Sequence, residues 1–286
     1  MTATFIKPML CQTWEDAGWP AEGWIAEPKL DGQRALVYVE KHQTVAVFSR
    51  LGNDSLGDEG LAWLRAVKWK HPTMILDAEL YVGGGNGAAP EVSRSKAGGT
   101  SSSAIACFDQ LAIEGSLIVS SPWRDRRAVL EQTLKGQKHP QIQLTVTSRE
   151  PAKLWAAWTK VGGEGVILKR PDSTYQIGRR SPDWMKRKVW MTVDVVITGV
   201  TNKPTYTRTG YAGGNWALTY GFYEPDQGKV VQSGQGLKVG KKDVLEKLIG
   251  QIAEVKCCAV METGGLRHAG FLRWRADKRV EECTRP

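Results

Sequence analysis

The segment Glu27-Pro28-Lys29-Leu30-Asp31-Gly32-Gln33-Arg34 places a lysine between two β-like runs, Trp24–Glu27 and Ala35–Val39. An acid, a turn-forming Asp-Gly pair and an arginine accompany it. A lysine in such a setting can act as a nucleophile only after losing its proton. Its reference pKa of about 10.4 leaves roughly one molecule in a thousand neutral near pH 7.4. Nearby cations or desolvation that lower this value by about two to three pH units would make the neutral form substantial. Trp184-Met185-Lys186-Arg187-Lys188 offers such cations, because strand alternation sends Lys186 and Lys188 to one face. Taken alone, Lys29 reads as a surface lysine and the K-x-K run as a solvated basic face.

Around this segment the chain alternates short strands with fewer helices. Further strands are expected at Val45–Ser49, Met74–Tyr81, Ser103–Leu111, Gln143–Thr147, Gly165–Lys169 and Met185–Val189. Ser121-Pro122 supplies an N-cap and a first-turn proline for a helix over Trp123–Leu134. Ser148 is expected to cap a second helix whose Leu154, Trp155, Trp158 and Val161 share a core-facing side, ended by Gly162-Gly163. Gly83–Ser103 reads as a surface loop. Its Gly83-Gly84-Gly85-Asn86-Gly87 run lacks the Gly-Lys-Ser/Thr continuation and helix of a phosphate cradle.

After Val189 the texture changes to five expected strands, at Met191–Val200, Trp216–Tyr223, Lys229–Ser233, Ala253–Met261 and Gly270–Arg275. Val244, Leu245, Leu248, Ile249 and Ile252 predict one helix over Lys242–Ile252. Five strands and a helix in this length suit a small β-barrel of OB-fold type, and a β-sandwich fits the same pattern. The expected boundary gives domains 1–189 and 190–286.

The 286 residues carry 39 Lys and Arg against 30 Asp and Glu, a net charge of +9 that favours a polyanionic partner, nucleic acid first. No apolar run spans a bilayer, no basic amphipathic helix is evident, and the N-terminus lacks a charged-then-apolar secretion pattern. The five cysteines (Cys11, Cys107, Cys257, Cys258, Cys283) show no C-x-x-C spacing and suggest neither zinc site nor disulfide framework. A reduced, cytoplasmic protein without membrane attachment is expected.

Lys29-Leu30-Asp31-Gly32-Gln33-Arg34 resembles the K-x-D-G-x-R nucleophile motif of the covalent nucleotidyltransferase superfamily of DNA ligases, RNA ligases and capping guanylyltransferases. Pro8-Met9-Leu10 resembles the P-M-L segment of ATP-dependent DNA ligases, and Ser49-Arg50 the next motif. Leu76-Asp77-Ala78-Glu79-Leu80 is similar to D-G-E with alanine in the glycine position. Phe108-Asp109-Gln110-Leu111, Glu164–Lys169 (E-G-x-x-x-K), Trp184–Lys188 (W-x-K-x-K) and Arg275-Ala276-Asp277-Lys278 (R-x-D-K) follow in the family order. One such motif is weak evidence, whereas seven in order make coincidence untenable.

The resemblance implies an α+β fold: an adenylation (nucleotidyltransferase) domain of antiparallel sheets with flanking helices, then a β-barrel OB-fold domain. It implies an ATP-dependent DNA ligase of minimal two-domain type, as found in bacteria and viruses, acting in a bacterial cytoplasm or infected cell. Lys29 would carry AMP, while Lys186 and Lys188 hold the α-phosphate. Arg275, Asp277 and Lys278 would orient the outer phosphates when the second domain closes. Phe108 would stack on adenine, Glu27 read its edge, and Arg34 and Arg50 meet ribose and the 5′-phosphate of the nick. Mg²⁺, or Mn²⁺ in its place, would bind Glu164, with Glu79 serving the metal or the ribose. Nicked duplex DNA is the expected partner, and a monomer suffices. Apart from the resemblance, residues 202–211 mix cations and aromatics in an expected exposed loop, where Lys203 and Arg208 are candidate DNA contacts and an ordinary solvated hairpin fits nearly as well. A capping guanylyltransferase or RNA ligase is the alternative enzyme; a non-catalytic OB-type binder has no need of Lys29, Glu79, Glu164, Lys186 and Lys188 together.

Overall fold

A computed structural model describes residues 4–14, 18–20, 22–82, 103–207, 210–238 and 246–286, without the side chains of 203–207 and 210–215. The chain divides into two compact units, Met1–Lys188 and Val189–Pro286. Among the described residues no helix is long and apolar enough to cross a membrane.

The first unit is built on two sheets. One joins β1 (Leu10–Thr13), β2 (Ile25–Pro28), β9 (Gly165–Lys169) and β10 (Arg180–Lys188) in the order β1-β10-β9-β2. The other joins β3 (Gln33–Glu40), β4 (Gln43–Phe48), β5 (Met74–Val82), β6 (Ser103–Ile113) and β7 (Ser116–Leu117) in the order β4-β3-β5-β6-β7. A short β8 (Ile142–Leu144) adds to β6. The expected antiparallel pairing holds except for β1 against β10 and β8 against β6, which run parallel. The helices are α1 (Ala62–Ala66), α2 (Trp123–Lys135) and α3 (Pro151–Lys160).

Strand alternation assigns each side chain to a layer. On β3, Ala35, Val37 and Val39 join Leu64 of α1 and Leu130 of α2 in an outer core. Leu36 and Tyr38 turn the other way, toward Met9 and Trp184 between the sheets. With both faces covered, β3 has five consecutive buried residues, and no polar alternation marks it in the sequence. On β9, Val166 and Leu168 pack with Leu154 and Trp155 of α3, bearing out the core reading for those two, whereas Val161 follows the helix and is exposed. The intervening Ile167 and Lys169 therefore face the layer between the sheets.

Two expected caps are replaced. The α2 amides of Trp123 and Arg124 donate to the Ser173 and Pro171 carbonyls, and Pro122, not Ser121, occupies the cap position. At α3 the cap position is Glu150; Ser148 lies outside the helix, where its hydroxyl accepts the Glu150 amide at 3.0 Å. Of the Gly83–Ser103 loop, residues 83–102 lie outside the described residues and Ser103 opens β6.

The second unit holds β11 (Met191–Thr207), β12 (Gly210–Glu224), β13 (Lys229–Leu237), β14 (Ile252–Cys257), a small β15–β16 pair (Ala259–Val260 and Leu266–Arg267) and β17 (Gly270–Trp274). Its main sheet is antiparallel in the order β13-β12-β11-β14-β17, with Val193, Val195, Ile197, Leu218, Tyr220 and Phe222 in one core. The described backbone of the stretch expected as an exposed loop, 202–207 and 210–211, extends the β11–β12 pairing to Thr207 and Gly210. The Lys242–Ile252 helix is corrected in its described part. Glu246–Leu248 forms one 3-10 turn, Ile249 is exposed, and Ile252 opens β14 opposite Val196. Strand pairing claims the last apolar residue of the helical pattern; residues 242–245 lie outside the described residues.

Candidate active site

The layer between the two sheets of the first unit opens into a cavity of about 480 Å³. Glu27, Lys29, Arg34, Arg50, Glu79, Phe108 and Lys186 all line it, so residues more than 150 positions apart in sequence meet there. Glu27 comes from β2, Lys29 from the turn after it, Glu79 from β5, Phe108 from β6 and Lys186 from β10.

Lys29 is held at three points. Its amide donates to the Gly165 carbonyl at 2.8 Å, its carbonyl accepts the Trp158 indole N–H at 3.4 Å, and its Nζ lies 2.5 Å from Glu164 Oε2. The other oxygen of Glu164 meets Lys188 Nζ at 2.7 Å. One carboxylate thus bridges two motif lysines. Burial alone would raise the Glu164 carboxyl, but the charges and hydrogen bonds of Lys29 and Lys188 outweigh it and hold it below the ordinary value. Lys186 is lowered by burial first, then by Lys188, Arg180 and Lys29. Glu79 behaves in the opposite sense: burial pushes its carboxyl up to about 7, against the pull of Arg34 and Lys29.

Two glycines permit this geometry. A Cβ on Gly32 would stand 2.2 Å from the Leu80 carbonyl oxygen, so the Asp-Gly turn can lie against β5 only without a side chain. Gly165 has φ +144° and would bring a Cβ to 2.0 Å from the Arg187 carbonyl oxygen, which fixes Glu164 beside β10.

Deeper in the cavity, Glu27 is buried, and its Oε2 meets Lys169 Nζ at 2.7 Å. Its Oε1 has no hydrogen-bond partner among the described residues. Burial raises the Glu27 carboxyl, opposed by Lys169 and Arg127. Lys169 is itself buried, its ammonium 4.7 Å from the Phe108 ring centre and 4.2 Å from that of Trp184. Arg34 forks onto both oxygens of buried Asp77 and lies 4.7 Å from the Phe108 ring centre. Tyr175 donates to Asp77 at 2.6 Å, completing that clamp. Asp109, within the Phe108 motif, is fully buried in a two-point pair with Arg126 and serves the core.

Arg50 reaches the cavity from an exposed turn closed by the Ser49 amide on the Asn53 carbonyl. The remaining expected residues lie elsewhere. Arg275 and Asp277 belong to the second unit, paired at 2.9 Å, and Asp194 holds both Arg275 and Lys278. The Arg275 contact draws the Asp277 carboxyl down to about 2. Arg208 and the Lys203 side chain lie outside the described residues. Among the described residues, no three His, Cys, Asp or Glu side chains gather as a ready metal cage. Sequence reading did not single out Asp77, Arg127, Trp158 or Lys169 for the site. Lys169 and Asp77 stand inside quoted motifs, so their positions were visible while their contacts were not.

The family described as ATP dependent DNA ligase domain matches residues 8–188. The multifunctional non-homologous end joining protein LigD of Mycobacterium bovis is 34% identical over 197 residues, 68% of this chain and 25% of that protein. The chain thus spans about a quarter of the length of the LigD proteins of this kind. The crystal structure of the ligase domain from M. tuberculosis LigD matches with 27% identity and a TM-score of 0.59, covering 98% of both chains. A mycobacterial DNA ligase D complexed with ATP and MES gives 26% identity and a TM-score of 0.61 over the same shares.

Proposed function

The chain belongs to the ATP-dependent DNA ligase family, and we propose that it seals nicks in duplex DNA through an adenylate carried on Lys29. The observation that carries this reading is the bridge Lys29–Glu164–Lys188, whose Lys29 lines a cavity that also presents Glu27 and Phe108. A nucleophile, phosphate-binding cations and a base-recognition surface are thereby joined in one unit.

Attack on the α-phosphorus of ATP needs a neutral amine, charge neutralisation and an in-line leaving group. Lys29 must part from Glu164 and lose its proton. Its Nζ then bonds to the α-phosphorus while the bond to pyrophosphate breaks. Lys186 and Lys188 are the cations assigned to the α-phosphate oxygens, Arg275 and Lys278 those assigned to the outer phosphates, and Asp277 orients Arg275. An oxygen of the nick 5′-phosphate, met by Arg50 and Arg34, then attacks the adenylate phosphorus as its bond to Lys29 Nζ breaks. The 3′-hydroxyl then attacks the 5′-phosphorus as AMP leaves. Lys203 and Arg208 are further DNA contacts in this reading. Phe108 gives adenine a ring face, and the free Oε1 of Glu27 supplies an acceptor for its exocyclic amine. That unsatisfied buried oxygen is what a bound adenine would complete.

Glu79 and Glu164 fit Mg²⁺ or Mn²⁺ in donor type, since such ions take one or two carboxylates and complete their shell with phosphate and water. Burial raises the Glu79 carboxyl despite Arg34 and Lys29, and a bound cation would favour its ionised form. A bound ion would supply charge neutralisation of the phosphates. The second unit supports an OB-type reading: its first strand, β11, pairs both the second and the fourth, as a five-stranded Greek-key barrel requires. A monomer suffices, since the cavity is formed by one chain.

Incubation with α-labelled ATP and Mg²⁺ should give a covalent protein–AMP adduct, absent in Lys29→Ala. The adduct should survive denaturation and alkali but be released by acid, as a lysine N–P bond requires, and the loaded protein should seal nicked duplex DNA. Labelling by GTP alone would assign the chain to guanylyl transfer, and no labelling would overturn the reading.

A further inference from the structure

Arg127 stands on α2, outside every motif, yet its guanidinium lies behind Glu27 and Thr145, which line the cavity. Its Nη1 lies 3.6 Å from Glu27 Oε1, with both side chains under 10% exposed. That distance is within the range of a strong ionic interaction and beyond that of a hydrogen bond. The guanidinium cannot swing closer without losing its own bonds. Nε donates to Glu131 at 2.8 Å, Nη1 to the Thr145 hydroxyl at 3.1 Å and Nη2 to the Thr145 carbonyl at 2.6 Å. Oε1 therefore feels a fixed positive charge while its lone pairs stay free.

Resting on the ATP-dependent reading above, we infer that Arg127 is a positioning residue for nucleotide choice. It keeps Glu27 ionised, so that Oε1 accepts from the adenine 6-amino group and repels the guanine 6-oxygen. Adenine presents a donor at this position and guanine an acceptor, so the sign of the discrimination depends on the protonation of Glu27. A protonated Glu27 could donate to guanine, and the filter would weaken. The charged groups facing Glu27 are Lys169 from β9, Arg127 from α2 and Asp109 from β6. Lys169 already uses its hydrogen bond on Oε2, which leaves Arg127 as the cation beside Oε1. Burial acts against ionisation, and removing one of two cations shifts the balance toward the neutral acid.

The test compares binding of the non-reacting analogues α,β-methylene-ATP and α,β-methylene-GTP to the full chain, from pH 5.5 to 8.5. Arg127→Gln removes the charge, whereas Arg127→Lys keeps it and sacrifices the fork onto Thr145. Arg127→Gln should narrow the ATP-over-GTP preference by roughly tenfold or more, as expected for a cost of one pKa unit. Its ATP affinity should also begin to fall at a higher pH than in the parent, while Arg127→Lys restores most of the preference. Equal weakening of both analogues in both variants, with an unchanged pH profile, would make Arg127 structural only and overturn the proposal. An undiminished preference in Arg127→Gln would overturn it too, leaving the ligase reading intact. If the parent chain binds neither analogue, the ATP reading fails and this inference fails with it.

Discussion

Glu79 and Glu164 are both motif glutamates beside Lys29, yet their surroundings push them in opposite directions. The Glu79 carboxyl, raised by burial from 4.5 to about 7, binds its proton more tightly in the folded chain than in the unfolded one. Between those values the folded state holds more protons, so stability falls as pH rises through that window. Glu164 is lowered, so the stability from its two lysine contacts is present above the unfolded value and is lost as pH falls through the folded one. In metal-free buffer, Glu79→Gln should therefore match the parent near pH 4 and gain about 3 kcal/mol above pH 7. Glu164→Gln should lose about 1–2 kcal/mol at pH 7, leaving Lys29 and Lys188 short of a partner, with a smaller deficit near pH 3. Thermal unfolding across pH measures both, and deficits of the same sign at pH 8 would refute the assignment. The motifs exposed these two residues in the sequence. Their opposite titration depends on depth and on neighbours from other strands, which no local pattern encodes.

At the scale of elements, the strands around the site were legible because β-branched and apolar runs flanked the motifs. Ala35–Val39, Met74–Tyr81 and Gly165–Lys169 each fall within an observed strand. The five-residue α1 and the four-residue β1 carry too few periods to show in sequence. Trp158 and Arg127 reach the site from helices whose own patterns report only their packing, so their contacts with Lys29 and Glu27 required the folded chain. Gly165 shows how an element boundary governs chemistry. Alanine there would meet both a backbone oxygen at 2.0 Å and a φ of +144°. Relief requires β9 to move from β10, carrying Glu164 away from Lys188 and the Lys29 amide away from its carbonyl partner. Gly165→Ala should therefore cost about 1–3 kcal/mol or more in stability and slow adduct formation at least as much as Glu164→Gln does. A variant with parent-like adduct formation would show that the close β9–β10 approach has no part in placing Lys29.

At the scale of the whole molecule, the charge excess has no internal use that accounts for it. Nine net positive charges remain after all acids are counted, whereas the interior pairs, such as Arg126 with Asp109 and Arg34 with Asp77, cancel one for one. The stretch Lys169–Lys188 alone holds seven basic residues against two acids. Of these, Lys169 and Lys188 are committed to Glu27 and Glu164, while Arg170 is exposed and Arg180 and Lys186 line the cavity. A surface of this kind binds a polyanion by releasing condensed counterions, so affinity for nicked duplex DNA should fall linearly with salt on logarithmic axes. The slope should be about −0.9 for each phosphate neutralised. Adenylation of Lys29 involves one small anion in a cavity and should respond much less steeply over the same range. The contrast separates the two halves of the proposed reaction. Sealing that weakens with salt while adduct formation persists locates the basic excess in DNA engagement. Parallel loss of both would place the excess in nucleotide binding instead, and a DNA affinity indifferent to salt would refute the polyanion argument drawn from the net charge.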